Sequence, residues 1–177
     1  MFPSEADAFK REVNRAMKML AKEPNVLFLG QSMCYDGAAI YDSMDGVPMK
    51  LRGEMPVAED FQMGYCIGLS LTGKLPICIF PRMDFMLLCM NQLVNHLDKL
   101  PLYGWKPKVI IRTRVGSREP LNAGPQHTQD HSSAFSKMLS SVELIRVGFS
   151  EDVLPAYRRA LVAKHSVLVV EKPSKGY

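Results

Sequence analysis

The sequence predicts an α/β fold, a single three-layer domain whose mostly parallel sheet is covered by helices on both faces. Three observations predict it. Short apolar runs such as Val26-Leu27-Phe28-Leu29 and Leu75-Pro-Ile-Cys-Ile-Phe80 lack polar alternation, as in strands buried on both sides. Segments of about 8 to 18 residues with helical spacing separate such runs, the kind of crossover that parallel strands require. Turn formers, among them Pro24-Asn25, Gly73 and Pro107, punctuate the boundaries.

The first element is an amphipathic helix from Glu5 to Lys22. Phe9, Val13, Met17 and Leu20 recur at helical spacing, and Lys10, Arg11, Arg15 and Lys18 occupy the other faces. Residues 1–24 therefore form an N-terminal helix and 25–177 the α/β core. After the strand ending at Gly30, Gln31 to Pro56 has many Gly and Pro residues and no sustained period, which reads as a long loop, a length that usually carries function. From Ala58 to Leu71 the pattern is apolar on nearly all sides, so this helix is expected to be buried. Gly73 ends it, and a strand follows at Leu75 to Phe80. Met83 to Leu100 reads as a helix through Phe85, Leu88, Gln92, Leu93 and Leu97. The chain then predicts a strand at Val109 to Val115, a polar loop at Gly116 to Gln129 and a short helix to about Ser140. A strand at Val142 to Val147, a helix at Glu151 to Lys164 and a strand at Ser166 to Glu171 complete it. Three segments leave the carboxyl ends of strands, where such sheets bind ligands: Gly30 to Glu59, Pro81 to Phe85, and Gly116 to Gln129.

Composition narrows the function. A 177-residue chain with 47% hydrophobic and 23% charged residues can bury one sizeable core. The net charge of +4 permits an acidic ligand, but the basic residues are scattered without a like-charge run, which argues against nucleic acid. The four cysteines form no C-x-x-C pair and mostly sit in apolar stretches, as expected of a reduced, cytoplasmic protein. The N-terminus lacks the pattern of a secretory signal, and no apolar run is long enough to span a membrane.

Two motifs are decoys. Gly68-Leu-Ser-Leu-Thr-Gly73-Lys74 copies most of a phosphate-binding loop, but Leu75 stands where a Ser or Thr belongs, and these glycines close a helix instead of opening one. Helix capping explains them better. His127 and His131 are four apart, yet His127 follows Gly124-Pro125-Gln126 in a loop and no third metal ligand is evident. His96 and His165 read as surface residues. Glu59 opens the apolar helix after Pro56. It serves either as a first-turn carboxylate facing the helix dipole or as a functional acid.

In order, these segments resemble the pyrimidine-binding, N-terminal domain of the β-subunit of thiamine-diphosphate-dependent 2-oxo-acid dehydrogenases, part of the transketolase-like pyrimidine-binding family. The resemblance spans Leu27 to Tyr177. It rests on Pro56-Val-Ala-Glu59 with Gly64 and Gly68, on Leu75 to Phe80 with Asp84-Phe85, and on Asn91-Gln92-Leu93-Val94-Asn95. Gly124-Pro-Gln-His-Thr-Gln129 and the closing segment from Glu171 to Tyr177 complete it.

The resemblance implies the thiamine-diphosphate-binding fold and an oxidoreductase component that decarboxylates a 2-oxo acid. Glu59 matches the family glutamate that bonds a ring nitrogen of the aminopyrimidine, so that the cofactor's own exocyclic nitrogen takes the thiazolium proton. Phe85 matches an aromatic residue packed on the pyrimidine, with core filling as the alternative. His127 matches a histidine facing the reacting centre, and Gln129 would support its loop. Arg82 lies where a substrate carboxylate or phosphate could be held, or is a surface arginine. Ile79 and Pro81-Arg82-Met83 depart from the family pattern, which bears on substrate preference. The family's second domain, of roughly 130 residues, has no counterpart in these residues. The diphosphate and Mg2+ are therefore expected on an α-type partner subunit, in a heterodimer or heterotetramer. Two alternatives stand beside this one: a non-catalytic regulatory or scaffolding domain, and a transketolase-like carboligase subunit.

Overall fold

The computed structural model describes residues 4–117 and 122–174. Six parallel strands form one sheet: β1 (Val26–Gly30), β2 (Arg52–Glu54), β3 (Leu75–Phe80), β4 (Ile110–Arg114), β5 (Glu143–Val147) and β6 (Val167–Glu171). Their order across the sheet is β2-β1-β3-β4-β6-β5, and every pairing is parallel. The helices are α1 (Glu5–Leu20), α2 (Ala39–Ser43), α3 (Glu59–Leu71), α4 (Ser132–Met138) and α5 (Ser150–Val162). The expected single α/β domain is what forms.

The side chains of each strand alternate between two cores. One core joins Phe9, Met17 and Leu20 of α1 and Tyr157 of α5 to Phe28, Ile77 and Ile110 of the sheet. On the other side, Met63 and Cys66 of α3 pack with Cys78, Phe80, Ile111 and Leu168. α1 begins with Ser4, whose hydroxyl accepts from the Asp7 N–H at 3.1 Å, and its five buried residues match the predicted stripe. The decoy glycine motif is a helix stop. Gly73 has φ +84, and the Lys74 N–H reaches back to the Leu69 carbonyl at 3.1 Å.

Three expectations need correction. The Gln31 to Pro56 segment holds α2, a 3-10 turn at Met49–Leu51 and the edge strand β2. Its order is long-range: the Arg52 guanidinium donates to the carbonyls of Met33, Met44 and Val47 at 2.6–3.3 Å and lies over the Tyr41 ring. Such a clamp leaves no periodic trace. The predicted helix after β3 is instead a 3-10 helix at Met83–Cys89 followed by a π-helix at Asn91–Leu97. Its buried apolar residues are Met83, Met86, Cys89, Leu93 and Leu97, while Leu88 is exposed. Finally, α3 buries one face only, because no part of the described chain covers Phe61, Tyr65 and Leu71. Tyr177, the last residue of the resemblance, lies outside the described residues.

Candidate functional site

The carboxyl ends of β1, β3 and β4 converge on a cavity of about 270 Å³. Its walls come from the loop after β1 (Ser32, with Ala38 to Ile40), the turn after β3 (Pro81, Arg82, Phe85), the end of β4 (Arg114) and the loop bearing His127. This is where an open parallel sheet places its ligands. All three segments that the sequence marks as leaving strand ends contribute.

Two of the lining side chains are in contact with each other. The Phe85 and His127 rings meet edge to face, with centroids 5.4 Å apart and an interplanar angle of 86°. A neighbouring acid holds the histidine loop in place. Asp84 Oδ1 accepts from the Gln129 backbone N–H at 3.3 Å and from its side-chain Nε2 at 3.0 Å. Gly116 permits the close approach. A Cβ there would lie 1.9 Å from the His127 carbonyl oxygen, so any larger residue would push the loop away. Adjacent residues of one 3-10 turn thus grip this loop twice, Asp84 through Gln129 and Phe85 through His127.

Glu59 is 4% exposed at the first turn of α3, and its Oε1 accepts from Gln31 Nε2 at 3.0 Å. It does not line the cavity. Gln31 connects the two, since the next residue, Ser32, is part of the wall. The connecting loop is itself fixed by Glu54, whose carboxylate accepts the N–H groups of Ser32, Met33 and Cys34 at 2.6–3.0 Å. Ser32 adopts φ 58, a strained value that this grip maintains. Glu59 is buried, and in such a low-dielectric setting a hydrogen bond to a carboxylate is strengthened. Its field reaches the nearby Cys89 thiol. Burial first, then the charges of Cys78, Asp60 and Glu59, push that thiol far above its ordinary range.

The remaining candidates separate. Arg82 lines the cavity and is half-buried, with its NH1 donating to the Pro81 carbonyl at 3.1 Å. Gln92 lies away from the cavity wall. It donates to Asp60 at 3.2 Å, and its carboxamide sits 3.4 Å from where a Cβ on Gly64 would be. The glycine spacing of α3 therefore admits Gln92 at Gly64, while a Cβ at Gly68 would meet nothing within 4 Å. His131 stacks on Phe135 at 6.3 Å, away from the His127 pairing, and among the described residues no three His, Cys, Asp or Glu side chains cluster as metal ligands. His96 is exposed, and His165, also exposed, pairs with Glu143 at 2.9 Å. All four cysteines are free thiols. Among the described residues no helix is long and apolar enough to cross a membrane.

Sequence reasoning missed Gln31, Glu54 and Arg114. The signal for Gln31 was its place directly after a strand ending in glycine. Arg114 was visible as the second arginine of Arg112-Thr-Arg114, but only the fold separates their roles. The Arg112 guanidinium is bound to Glu171 at 2.9 Å and to Ser43 at 2.8 Å, and Tyr157 donates to the same carboxylate at 2.7 Å. Arg114, two residues on, reaches the cavity.

No protein-family model matches the sequence. Among curated proteins, the chain is 26% identical over 159 residues to the pyruvate dehydrogenase E1 component subunit beta of Cyanidium caldarium, covering 86% of this chain and 47% of that protein. It is 28% identical over 144 residues to the acetoin:2,6-dichlorophenolindophenol oxidoreductase subunit beta of Bacillus subtilis, covering 71% of this chain and 42% of that protein. The chain thus spans less than half the length of these relatives. Among solved structures, a split-gene transketolase described as an inactive β4 tetramer superposes with a TM-score of 0.72 at 16% identity, covering 95% of this chain and 52% of that one. The transketolase of Campylobacter jejuni gives 0.74 at 15% identity, covering 92% of this chain and 25% of that one. These two likenesses establish a transketolase-like α/β fold, and the sequence relatives establish the resemblance to dehydrogenase β-subunits.

Proposed function

We propose that this relative of 2-oxo-acid dehydrogenase β-subunits is the pyrimidine-binding subunit of a thiamine-diphosphate-dependent enzyme that decarboxylates a 2-oxo acid. A partner subunit would hold the diphosphate and magnesium. One observation carries this: a buried carboxylate, Glu59, is bonded to Gln31 beside a cavity walled by Phe85 and His127.

The donor set fits the aminopyrimidine half of the cofactor and no more. A heteroaromatic ring needs a charged acceptor and an aromatic wall; Phe85 and His127 supply the wall, and Glu59 lies behind it, joined through Gln31. A magnesium site needs several oxygen ligands, and the described residues hold no such cluster. When bound, thiamine diphosphate supplies a nucleophilic carbon and an electron sink for decarboxylation. Glu59 would hold a proton at a ring nitrogen, with Gln31 fixing the carboxylate's orientation. Phe85 would exclude water from the ring face. His127 offers an imidazole ring to a reacting group, held in place by Phe85 and the Asp84–Gln129 bonds.

The need for a partner is supported by the outer face of α3. Phe61 and Tyr65 stack there with centroids 5.8 Å apart and are 55% and 46% exposed, with Leu87 and Leu88 also exposed. Apolar surface of this kind usually marks an interaction face. The test is to purify the chain with a co-expressed subunit bearing the diphosphate site and supply a panel of 2-oxo acids. Carbon dioxide release that requires both chains and is abolished by Glu59→Ala is expected. Ligation products without net decarboxylation of a 2-oxo acid, or turnover that survives Glu59→Ala, would overturn it.

A further inference from the structure

The fold gathers charges that the sequence scatters. Because all six strands are parallel, the segments leading into them lie at one end of the sheet, and the cavity lies at the other. Each of these segments carries an exposed lysine: Lys22 before β1, Lys50 before β2, Lys74 before β3, Lys106 before β4, Lys137 before β5 and Lys164 before β6. Among the described residues none of these ammonium groups is held by a carboxylate. Carboxylates near this end are mostly matched already: Asp98 with Lys99 at 2.7 Å, Asp45 with Lys18 at 3.3 Å, and Glu143 with Arg159 and His165. Glu23, half-buried beside Lys22, is the exception. Lys108, by contrast, turns inward and donates to the Ala160 and Ala163 carbonyls. The lysines cross the whole sheet, a width of about 24 Å at about 4.8 Å per strand. Like charges spread over such a plane repel one another and attract an anionic surface together.

A second feature stands at the same end. Between Lys99 and Lys106 the chain makes a 3-10 turn, Leu100–Tyr103, that closes at Gly104. Leu102, Tyr103 and Trp105 are 74%, 78% and 55% exposed. Their backbone is satisfied from within, since the N–H groups of Leu102, Gly104 and Trp105 bond the carbonyls of Lys99, Pro101 and Leu100 at 2.9–3.2 Å. A turn closed in this way can leave water without stranding a backbone donor. Tyrosine and tryptophan, apolar bodies with one polar tip, favour the boundary between lipid and water.

We propose that this end of the molecule docks on an anionic lipid surface, with the lysines over the headgroups and Leu102, Tyr103 and Trp105 in the interface. Charge and apolar anchor together make the pair of signals that holds a protein on a membrane without a spanning helix. Protein interfaces favour arginine and are poor in lysine, so a plane of lysines fits headgroups better than a folded partner. Single-stranded nucleic acid is bound along a groove with successive aromatic platforms, whereas the aromatic residues here stand on one turn. The face is opposite the cavity and stays open whatever the cavity binds.

The experiment mixes the full chain with vesicles of phosphatidylcholine alone or with about 30% phosphatidylserine. Binding is read by co-sedimentation and by the fluorescence of Trp105, the chain's single tryptophan. The acidic vesicles are expected to bind the chain at least tenfold more tightly, to shift the Trp105 emission to the blue and to release the protein at high salt. The triple variant Lys74→Gln, Lys106→Gln, Lys164→Gln should weaken binding about a hundredfold. The pair Leu102→Ser, Tyr103→Ser should weaken it severalfold and reduce the blue shift, with the lysines intact. No binding to acidic vesicles, equal binding to neutral ones, or binding that leaves the Trp105 emission unmoved would overturn the proposal. Tighter binding to polyglutamate or to single-stranded DNA than to acidic vesicles would also overturn it, assigning the face to an acidic protein or to nucleic acid.

Discussion

At the residue scale, the site is made of side chains whose value lies in what fixes them. The sequence offers Glu59, Phe85 and His127 as candidates because each sits in a short ordered motif. The groups that orient them, Gln31, Glu54 and Asp84, lie 20 to 45 positions from their partners or act through backbone N–H groups, which no local pattern records. Asp84 offers a direct check. Asp84→Asn keeps an acceptor for Gln129, so turnover of the assembled enzyme should fall only slightly. Asp84→Ala loses both bonds to Gln129 and should cost about tenfold or more, at about 1 kcal/mol for each lost hydrogen bond. A second residue, Asp130, makes a pH prediction. Burial raises its pKa, but the Ser132 hydroxyl and the Lys172 ammonium at 2.9 Å outweigh that and bring it down to about 2. Its folded value lies below the unfolded value of about 3.9, so its contribution to stability is complete above that pH and fades as pH falls toward 2. Urea unfolding between pH 2 and 5 should show this loss in the wild type and a smaller one in Lys172→Met.

At the scale of elements, strands and long helices followed from pattern, and the segment after β3 did not. Its buried apolar residues Met83, Met86 and Cys89 are three apart, the period of a 3-10 helix, and Leu93 and Leu97 are four apart. A single helical period of 3.6 averaged over both halves brings Phe85 and Leu88 onto the core face by mistake. The tight turn has a consequence for the site, because it leaves Phe85 half-exposed toward His127 while Met83 and Met86 anchor beneath. The end of the π-helix is similarly anchored. The buried Asp98 carboxylate collects the N–H groups of Ser140, Ser141 and Val142 at 2.7–2.9 Å, tying it to the start of β5. The loop after β4 is the element most sensitive to a small change. Gly116→Ala should leave the melting temperature within a few degrees, since the loop is at the surface. The same variant should abolish cofactor binding by displacing His127, and the ring signals of Phe85 would report the lost edge contact.

At the scale of the whole molecule, the parallel sheet was legible from unbroken apolar strands, and its strand order was not. The order depends on which crossovers pack, such as α1 against α5 on one face, and on the buried Arg112–Glu171 pair that ties β4 to β6. The unburied side of α3 likewise needed the fold to be seen, because an apolar helix reads the same whether its second face meets its own chain or another. Replacing Phe61 and Tyr65 by lysine should leave the isolated chain folded, as circular dichroism would show, and should prevent co-purification of the diphosphate-binding subunit. A double variant that still assembles would place the interface elsewhere. The central claim is that Glu59 activates a cofactor shared with that subunit. Its most direct test is deuterium exchange at the thiazolium carbon in the assembled complex, wild type against Glu59→Gln. A fall in the exchange rate of about a hundredfold or more is the predicted result. An unchanged rate in a variant that still binds the cofactor would contradict it.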